Sequence, residues 1–383
     1  MRPQLKGVVW ERVGDELRVV YDRRDQLLIE DSDGTVERLL VLLRSGGRTY
    51  RELAEQLSID EQDVVEAVGL LDEHRLVEDG GGLGRLTGSL AERYHSNLAF
   101  FECFATLARS REEIQGSLTG SHALVLGTGG LNSNTIPHLC GLGVGRLTLL
   151  DRDAVELRNF ARQYLYQQRD LGRRKVEVAA AWVRAFEPSI DVKAVDGELD
   201  GPEGVSALLD RYAPDLVISG VDSPAEIDDW VNDACVAAGT PYVRGGMWVT
   251  QGIVWSVDPG RSACRGCARY DGDRAAAVSP LAAQLADELS AERLLRQRPP
   301  VNRGIGPVAG LLGALAAFEA LRYLTGFEPP AYAGRPLIID FAAGCATEQV
   351  QWHHRSDCAA CSGVPVTARP TPNDRRGEEV IRI

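Results

Sequence analysis

The chain is short of positive charge. Its 383 residues carry 42 Lys and Arg against 55 Asp and Glu, a formal net charge of −13. Nucleic-acid phosphates are held mainly by Lys and Arg, so this balance argues against a general nucleic-acid binder. The start, "MRPQLKGVVWERVGDELR", lacks the apolar core of a secretory signal. A long uninterrupted apolar run is missing too. The longest, "GPVAGLLGALAAFEALRYLTG" from Gly306, is broken by Glu319 and Arg322 and reads as a buried helix, not a membrane span. These absences predict a cytoplasmic protein with neither a nucleic-acid nor a membrane partner.

What remains is an ordinary globular composition, 44% hydrophobic and 25% charged, long enough for two or three cored domains. Four of the eight cysteines, Cys103, Cys140, Cys235 and Cys345, are isolated and read as small buried hydrophobes. The others form two pairs, "CRGC" (Cys264, Cys267) and "CAAC" (Cys358, Cys361). In a reducing compartment, paired C-x-x-C points to a metal or to redox chemistry. Four thiolates in two such pairs are the usual set of a closed structural zinc site.

Residues 1–79 read as a small α+β domain. "VVWERVGDELRVVYD" and "QLLIED" are β-type runs around polar turns. "GTVERLLVLLRSG" is a helix stopped at Gly46-Gly47. "TYRELAEQLSI" opens on Thr49 with Glu52 three residues later, a capping box. A third helix starts after Asp60, with Val64, Val65, Val68, Leu71 and Leu76 near helical spacing. Strands with three short helices predict a winged helix. Up to Gly80 it holds 19 acidic and 11 basic residues, a poor DNA surface, so its sheet edge is the better candidate for binding, with an added peptide strand. "GGGLGRLTG", within residues 80–92, reads as a hinge. From His122 onward strands and helices alternate, which predicts a Rossmann-like α/β domain with a mostly parallel sheet. It extends over 93–363, and the polar, Pro-containing residues 364–383 read as a loose tail.

"LVLGTGGLNSN" is a strand followed by Gly127, Gly129 and Gly130. Glycines let backbone N–H groups approach phosphates, and the next helix N-terminus adds positive potential. Asp151 ends the following strand, where a carboxylate bonds a ribose hydroxyl. A dinucleotide fingerprint would place its last glycine at 132, which is Asn132. Behind Asp151 stand Asn159, Arg162, Gln163 and Lys175. Two cations close to a phosphate loop offset the charge of a triphosphate and its pyrophosphate leaving group. Asp222 lies just past a strand end, a good magnesium ligand.

Together these motifs resemble the adenylating domain of the ThiF/MoeB and ubiquitin-activating-enzyme superfamily, over about Arg93 to Gly363. Within it, "RYHSNLAFF", "RQYLYQQRDLGRRKVE", "WVNDACVAAGTPYVRGGM" and "PPVNRGIGPVAGLLGA" resemble the MccB-like branch of peptide maturation. Residues 1–79 are similar to a leader-peptide-binding RiPP recognition element. The resemblance implies an ATP-dependent adenylyltransferase that turns a carboxylate of a ribosomal precursor peptide into an acyl-adenylate, and a homodimer. It implies that Gly127, Gly129 and Gly130 line the ATP phosphates, with Asp151, Asp153 and Gln163 also at the nucleotide. Asn159, Arg162 and Lys175 would face the triphosphate, Asp222 would hold Mg2+, and the four paired cysteines Zn2+.

Two positions depart from the family pattern. Ser96 stands where an R-Y-x-R segment carries a second arginine, and Asn132 replaces the loop glycine. No cysteine lies between Cys267 and Pro307, where thioester-forming relatives carry one. That favours adenylation without thioester transfer. A second reading is a non-catalytic carrier that binds the leader peptide and delivers it to a cyclodehydratase partner.

Overall fold

The structure, a computed structural model, describes residues 1–22, 25–268, 302–363 and 379–381. The chain folds as two compact units, residues 1–117 with 371–383, and residues 118–370.

In the first unit, β1 (Pro3–Leu5) pairs with β5 (Val77–Asp79). β2 (Val9–Val13), β3 (Glu16–Asp22) and β4 (Asp25–Glu30) form an antiparallel meander. Leu17 and Val19 on β3, and Leu27 and Ile29 on β4, alternate into the core. There they meet Leu40 and Leu43 of α1 (Thr35–Ser45), Leu53 of α2 (Tyr50–Leu57), and Val64 and Val68 of α3 (Glu61–Glu73). The capping box before α2 forms: the Thr49 amide donates to the Glu52 carboxylate at 2.8 Å, and the Thr49 hydroxyl accepts from the Glu52 amide.

Two expectations change here. The glycine stretch 80–88 does not run as free chain. Gly80–Gly82 forms a 3-10 turn whose Gly81 amide donates to Asp79. The amides of Gly84, Arg85 and Leu86 all donate to the Glu112 carboxylate at 2.6–2.8 Å. A carboxylate accepting three amides fixes the segment; α4 (Gly88–Arg93), α5 (His95–Glu102) and α6 (Arg111–Gly120) follow, and this compact unit runs on to Ser117. The tail is not wholly loose either. Residues 364–378 lie outside the described residues, but β14 (Glu379–Ile381) pairs in parallel with β4. The sequence there, "EVIRI", is rich in β-branched residues, which favour strands.

The second unit is built on one eight-stranded sheet, in the order β13-β12-β11-β10-β9-β6-β7-β8. β6 (His122–Leu126), β7 (Arg146–Asp151), β8 (Asp191–Asp196), β9 (Leu216–Ser219) and β10 (Tyr242–Trp248) run parallel. β11 (Gln251–Val257), β12 (Leu337–Asp340) and β13 (Ala346–Gln349) extend it antiparallel. The apolar runs of β6 and β9 are buried throughout, as strands covered on both faces require. The chain leaves β6 toward β7 on one side and later returns to place β9 on the other. The C-terminal ends of β6 and β9 are therefore a topological switch point, where such sheets take ligands.

Helices α7 (Asn132–Leu142), α8 (Lys175–Phe186), α9 (Pro202–Tyr212) and α10 (Ile227–Ala238) connect the parallel strands. The apolar run from Gly306 is a helix, α11 (Gly306–Thr325). It is long and apolar enough to cross a membrane by composition alone, but most of it is buried in the protein. Its Glu319 is buried, and accepts from Ser256 Oγ and from the amides of Ala331 and Tyr332 at 2.7–2.9 Å. Burial still pushes its carboxyl above the ordinary range.

α11 approaches α7 through small residues. A Cβ at Gly313 would lie 2.8 Å from the Asn134 Cβ and 2.9 Å from the Leu131 carbonyl oxygen. Gly313→Ala is therefore expected to lower stability by about 1–3 kcal/mol through overpacking. Urea unfolding should show a lower midpoint at unchanged slope; an unchanged midpoint would refute the close-approach argument.

Candidate functional site

At the switch point, β6 turns into α7 through Gly127-Thr128-Gly129-Gly130. Gly127 has φ +77°, in the left-handed region, and a Cβ there would meet Val221 Cγ2 at 3.1 Å. α7 has no side-chain cap and turns its positive end to the loop; its Ser133 amide donates to the Gly129 carbonyl at 2.9 Å and its Asn134 amide to the Leu131 carbonyl at 3.0 Å. Asn132 occupies its first turn, fully buried. Its Nδ2 donates to the carbonyls of Gly127 at 2.7 Å and Leu126 at 3.0 Å, and reaches Ile218 of β9 at 3.4 Å. The residue that breaks the glycine fingerprint thus pins the ends of β6 and β9 together. Gly220 makes room for it, because a Cβ there would lie 2.7 Å from Asn132 Nδ2.

Asp151 braces the same loop. One carboxylate oxygen accepts from the Thr128 amide at 2.6 Å and hydroxyl at 2.8 Å, the other from the Asp153 amide at 2.8 Å. Thr128 is also held by the Tyr166 hydroxyl, which donates to its carbonyl at 2.7 Å. Burial raises the Tyr166 phenol, so it stays a donor. Thr128 and Tyr166 were not among the residues singled out from the sequence. Their only signal there was position, between the loop glycines and inside "RQYLYQQ".

The expected cations lie nearby with different partners. Lys175 opens α8, is 5% exposed, and pairs with Asp153 at 2.8 Å. Asn159 is buried and accepts from the Glu156 amide at 2.8 Å, closing a short turn. Gln163 is buried beside Gly129, its Nε2 3.8 Å from where a Cβ would stand, and its Oε1 has no hydrogen-bond partner. Arg162 passes between two glycines: a Cβ at Gly130 would lie 3.2 Å from its Nε, and one at Gly304 3.0 Å from its Cδ. Gly130 therefore makes space for Arg162. Burial draws the Arg162 guanidinium down, and the charge of Asp222 opposes this. Asp222 is exposed just past β9. The expected set thus gathers at the ends of β6, β7 and β9. A glycine-rich loop at the positive end of α7, with Arg162 and Lys175 beside it and an exposed carboxylate at Asp222, fits a nucleotide phosphate chain with its cation.

The four paired cysteines converge in the second unit, all buried, their sulfurs within 4.8 Å of one another. Separations are 3.9 Å for Cys264–Cys267, 3.6 Å for Cys264–Cys358 and 3.5 Å for Cys267–Cys361. Tetrahedral zinc with bonds of about 2.3 Å sets sulfurs ~3.8 Å apart, so the set fits zinc. His353 and His354 are exposed. Of the isolated cysteines, Cys140 and Cys235 are buried as expected, but Cys103 and Cys345 are exposed. Cys103 ends a helix and Cys345 sits in a turn with φ +66°, neither inside a packed face.

A family model described as "ThiF family" matches residues 104–360. The chain belongs to the ThiF family. The molybdopterin-synthase adenylyltransferase of Escherichia coli K12 is 30% identical over 250 residues, 64% of this chain and 89% of that protein. The sulfur carrier protein ThiS adenylyltransferase of the same strain is 31% identical over 250 residues, 65% and 89%. Among solved structures, E. coli MccB with ATP aligns over 94% of this chain and 100% of its own at TM-score 0.71 and 19% identity. MccB in complex with N-formylated MccA aligns over the same shares at TM-score 0.70 and 19% identity. This likeness extends the shared fold beyond the ThiF match into the N-terminal residues.

Two expectations follow for this ThiF-family site. Elemental analysis of protein purified under reducing conditions without chelator should give one zinc per chain; a content far below that would rule the centre out. Asn132→Gly, which restores the fingerprint glycine, should weaken folding by about 1–3 kcal/mol, because the Gly127 and Ile218 carbonyls lose the carboxamide's hydrogen bonds and the helix gains a glycine. A thermal unfolding temperature equal to wild type would contradict the bracing role.

Proposed function

We propose that this ThiF-family, ATP-dependent adenylyltransferase activates a carboxylate on a ribosomally made precursor peptide. The observation that carries the reading is the switch point itself. The uncapped start of α7, the glycine loop, Arg162, Lys175 with Asp153, and Asp222 converge at one end of the parallel strands. In the reaction, a peptide carboxylate oxygen forms a bond to the α-phosphorus of ATP. The bond to the bridging oxygen breaks, and pyrophosphate leaves with that electron pair.

The loop through Gly127, Gly129 and Gly130, at the positive end of α7, would line the phosphates. Asp151, already fixed by Thr128, would hold the ribose, with Gln163 and Asp153 beside the nucleotide. Arg162 would meet the charge that develops on the leaving group, and Asn159 fixes the turn that carries it. Lys175 would exchange part of its contact with Asp153, which is more than half exposed, for the triphosphate. Asp222 would hold Mg2+, which when bound offsets phosphate charge. Cys264, Cys267, Cys358 and Cys361 would hold a structural Zn2+.

The N-terminal unit, with its acidic balance and three-helix, antiparallel build, would act as the winged-helix module that captures the leader segment as an added strand. The peptide substrate is supported by the fold shared with MccB, whose solved complexes contain MccA. A homodimer is supported by Leu311 and Phe318, apolar and about two-fifths exposed on α11. ATP chemistry and reduced paired thiols suit the cytoplasm.

With Mg2+, ATP and its cognate precursor peptide, the protein should catalyse ATP–pyrophosphate exchange. Asp222→Ala should remove most of it. Arg162→Ala should lower turnover about 10²–10³-fold, more than it weakens ATP binding. Cys345→Ala should stay active, since no thioester is required. Tight peptide binding with neither exchange nor ATP binding would replace this reading with the carrier that serves a cyclodehydratase.

A further inference from the structure

The edge of β4 already has an occupant. Glu379, Val380 and Ile381 pair in parallel with Leu27, Leu28 and Ile29. Without them, β4 would present unpaired backbone groups along one side, because its other side is taken by β3. An edge of this kind is a template for any extended segment. Leu27 and Ile29 are buried in the core of the first unit, so the register of β4 is fixed and cannot slip to hide its edge.

We propose that the C-terminal strand Glu379–Ile381 is the resident ligand of the β4 edge, and that a peptide entering there as a strand must displace it. The pairing stands on the structure alone; the competition rests on the reading that the N-terminal unit captures a peptide. Three features suit a displaceable occupant. The strand is three residues long, against six in β4, so a longer incoming strand gains more backbone bonds. It is tethered to the same chain, with 15 residues between Gly363 and Glu379. It also bonds through backbone, so it covers the edge without demanding a matched side-chain pocket.

The tether sets the size of the effect. At an intramolecular effective concentration on the order of 1 mM, a strand of intrinsic Kd about 0.1 mM weakens a competitor about 10-fold. The same occupant protects an edge that would otherwise invite pairing between molecules.

The test uses three proteins: the full chain, a chain ending at Gly363, and full-length Val380→Pro, which removes a strand amide without shortening the protein. A fluorescent synthetic peptide of residues 377–383 is the probe, read by anisotropy. It should bind the shortened chain and Val380→Pro about 10-fold or more tighter than the full chain. Hydrogen exchange of the segment holding Leu27–Ile29 should speed up in both altered proteins. Equal probe binding and equal exchange across all three would overturn the proposal. If the peptide-capture reading alone is wrong, the exchange difference persists while no precursor peptide supports ATP–pyrophosphate exchange in any of them. If only the resident-strand inference is wrong, precursor binds all three alike.

Discussion

One carboxamide holds the switch point together. A parallel sheet that changes winding direction leaves a gap between the two strands at its reversal, and here those strands are β6 and β9. Each ends in carbonyls that the ladder only partly satisfies, because the chain turns away into loops on both sides. Asn132 Nδ2 sits between them and donates to both. In a dinucleotide fold the equivalent glycine serves close packing of helix on strand. The same closeness is reached here by moving the glycine to position 220, across the gap. The departure at 132 and the glycine at 220 thus fit each other, since the Asn132 carboxamide fills space that a Cβ at 220 would need.

The far side of the sheet is secured by a different device. Arg265, inside the first cysteine pair, donates its amide to Asn232 Oδ1 and its guanidinium to Asp229, both at 2.9–3.2 Å. The same Asn232 oxygen accepts from the buried Tyr242 hydroxyl of β10. Arg244 on β10 binds Asp228 of α10, and the rings of Trp255 and Trp352 lie 6.3 Å apart beside the cysteines. The cysteine cluster therefore sits in the core that joins α10, β10 and β11. Bringing Cys358 and Cys361 to Cys264 and Cys267 closes a loop of more than ninety residues. The entropy of that closure is large, so a metal bond is a fitting way to hold it.

Most of the architecture was legible because it rests on local signals. The capping box at Thr49 and Glu52, the stop at Gly46 and the strand–glycine–helix run from Leu124 each depend on neighbours within a few residues. The cysteine pairs were legible because their chemistry has few other uses. What sequence could not give is which partner a polar residue takes. Lys175 on Asp153, Asn159 on the Glu156 amide and Gly130 against Arg162 are choices made by tertiary packing. The glycine stretch after residue 79 misled for the same reason. Its composition is that of a flexible segment, yet Glu112, some thirty residues later, binds three of its amides. The C-terminal strand was hidden by the polar residues before it, since strand pairing depends on a distant edge being open.

The state of the cations separates an enzyme from a scaffold. A lysine that is 5% exposed has given up most of its water, and its ion-pair partner Asp153 is itself more than half exposed. Arg162 is in a similar position: partly buried between Gly130 and Gly304, with the nearest opposing charge on exposed Asp222. Packing alone would be served better by apolar residues at both sites. Cations held where water is scarce, beside a glycine-rich loop and the positive end of α7, would interact most strongly with a bound polyanion. Positive potential prepared in advance is what charge stabilisation in a transition state requires, because nothing then needs to reorganise as the charge moves. A protein that merely carries a peptide has no use for that arrangement, and the pattern of burial therefore weighs toward catalysis.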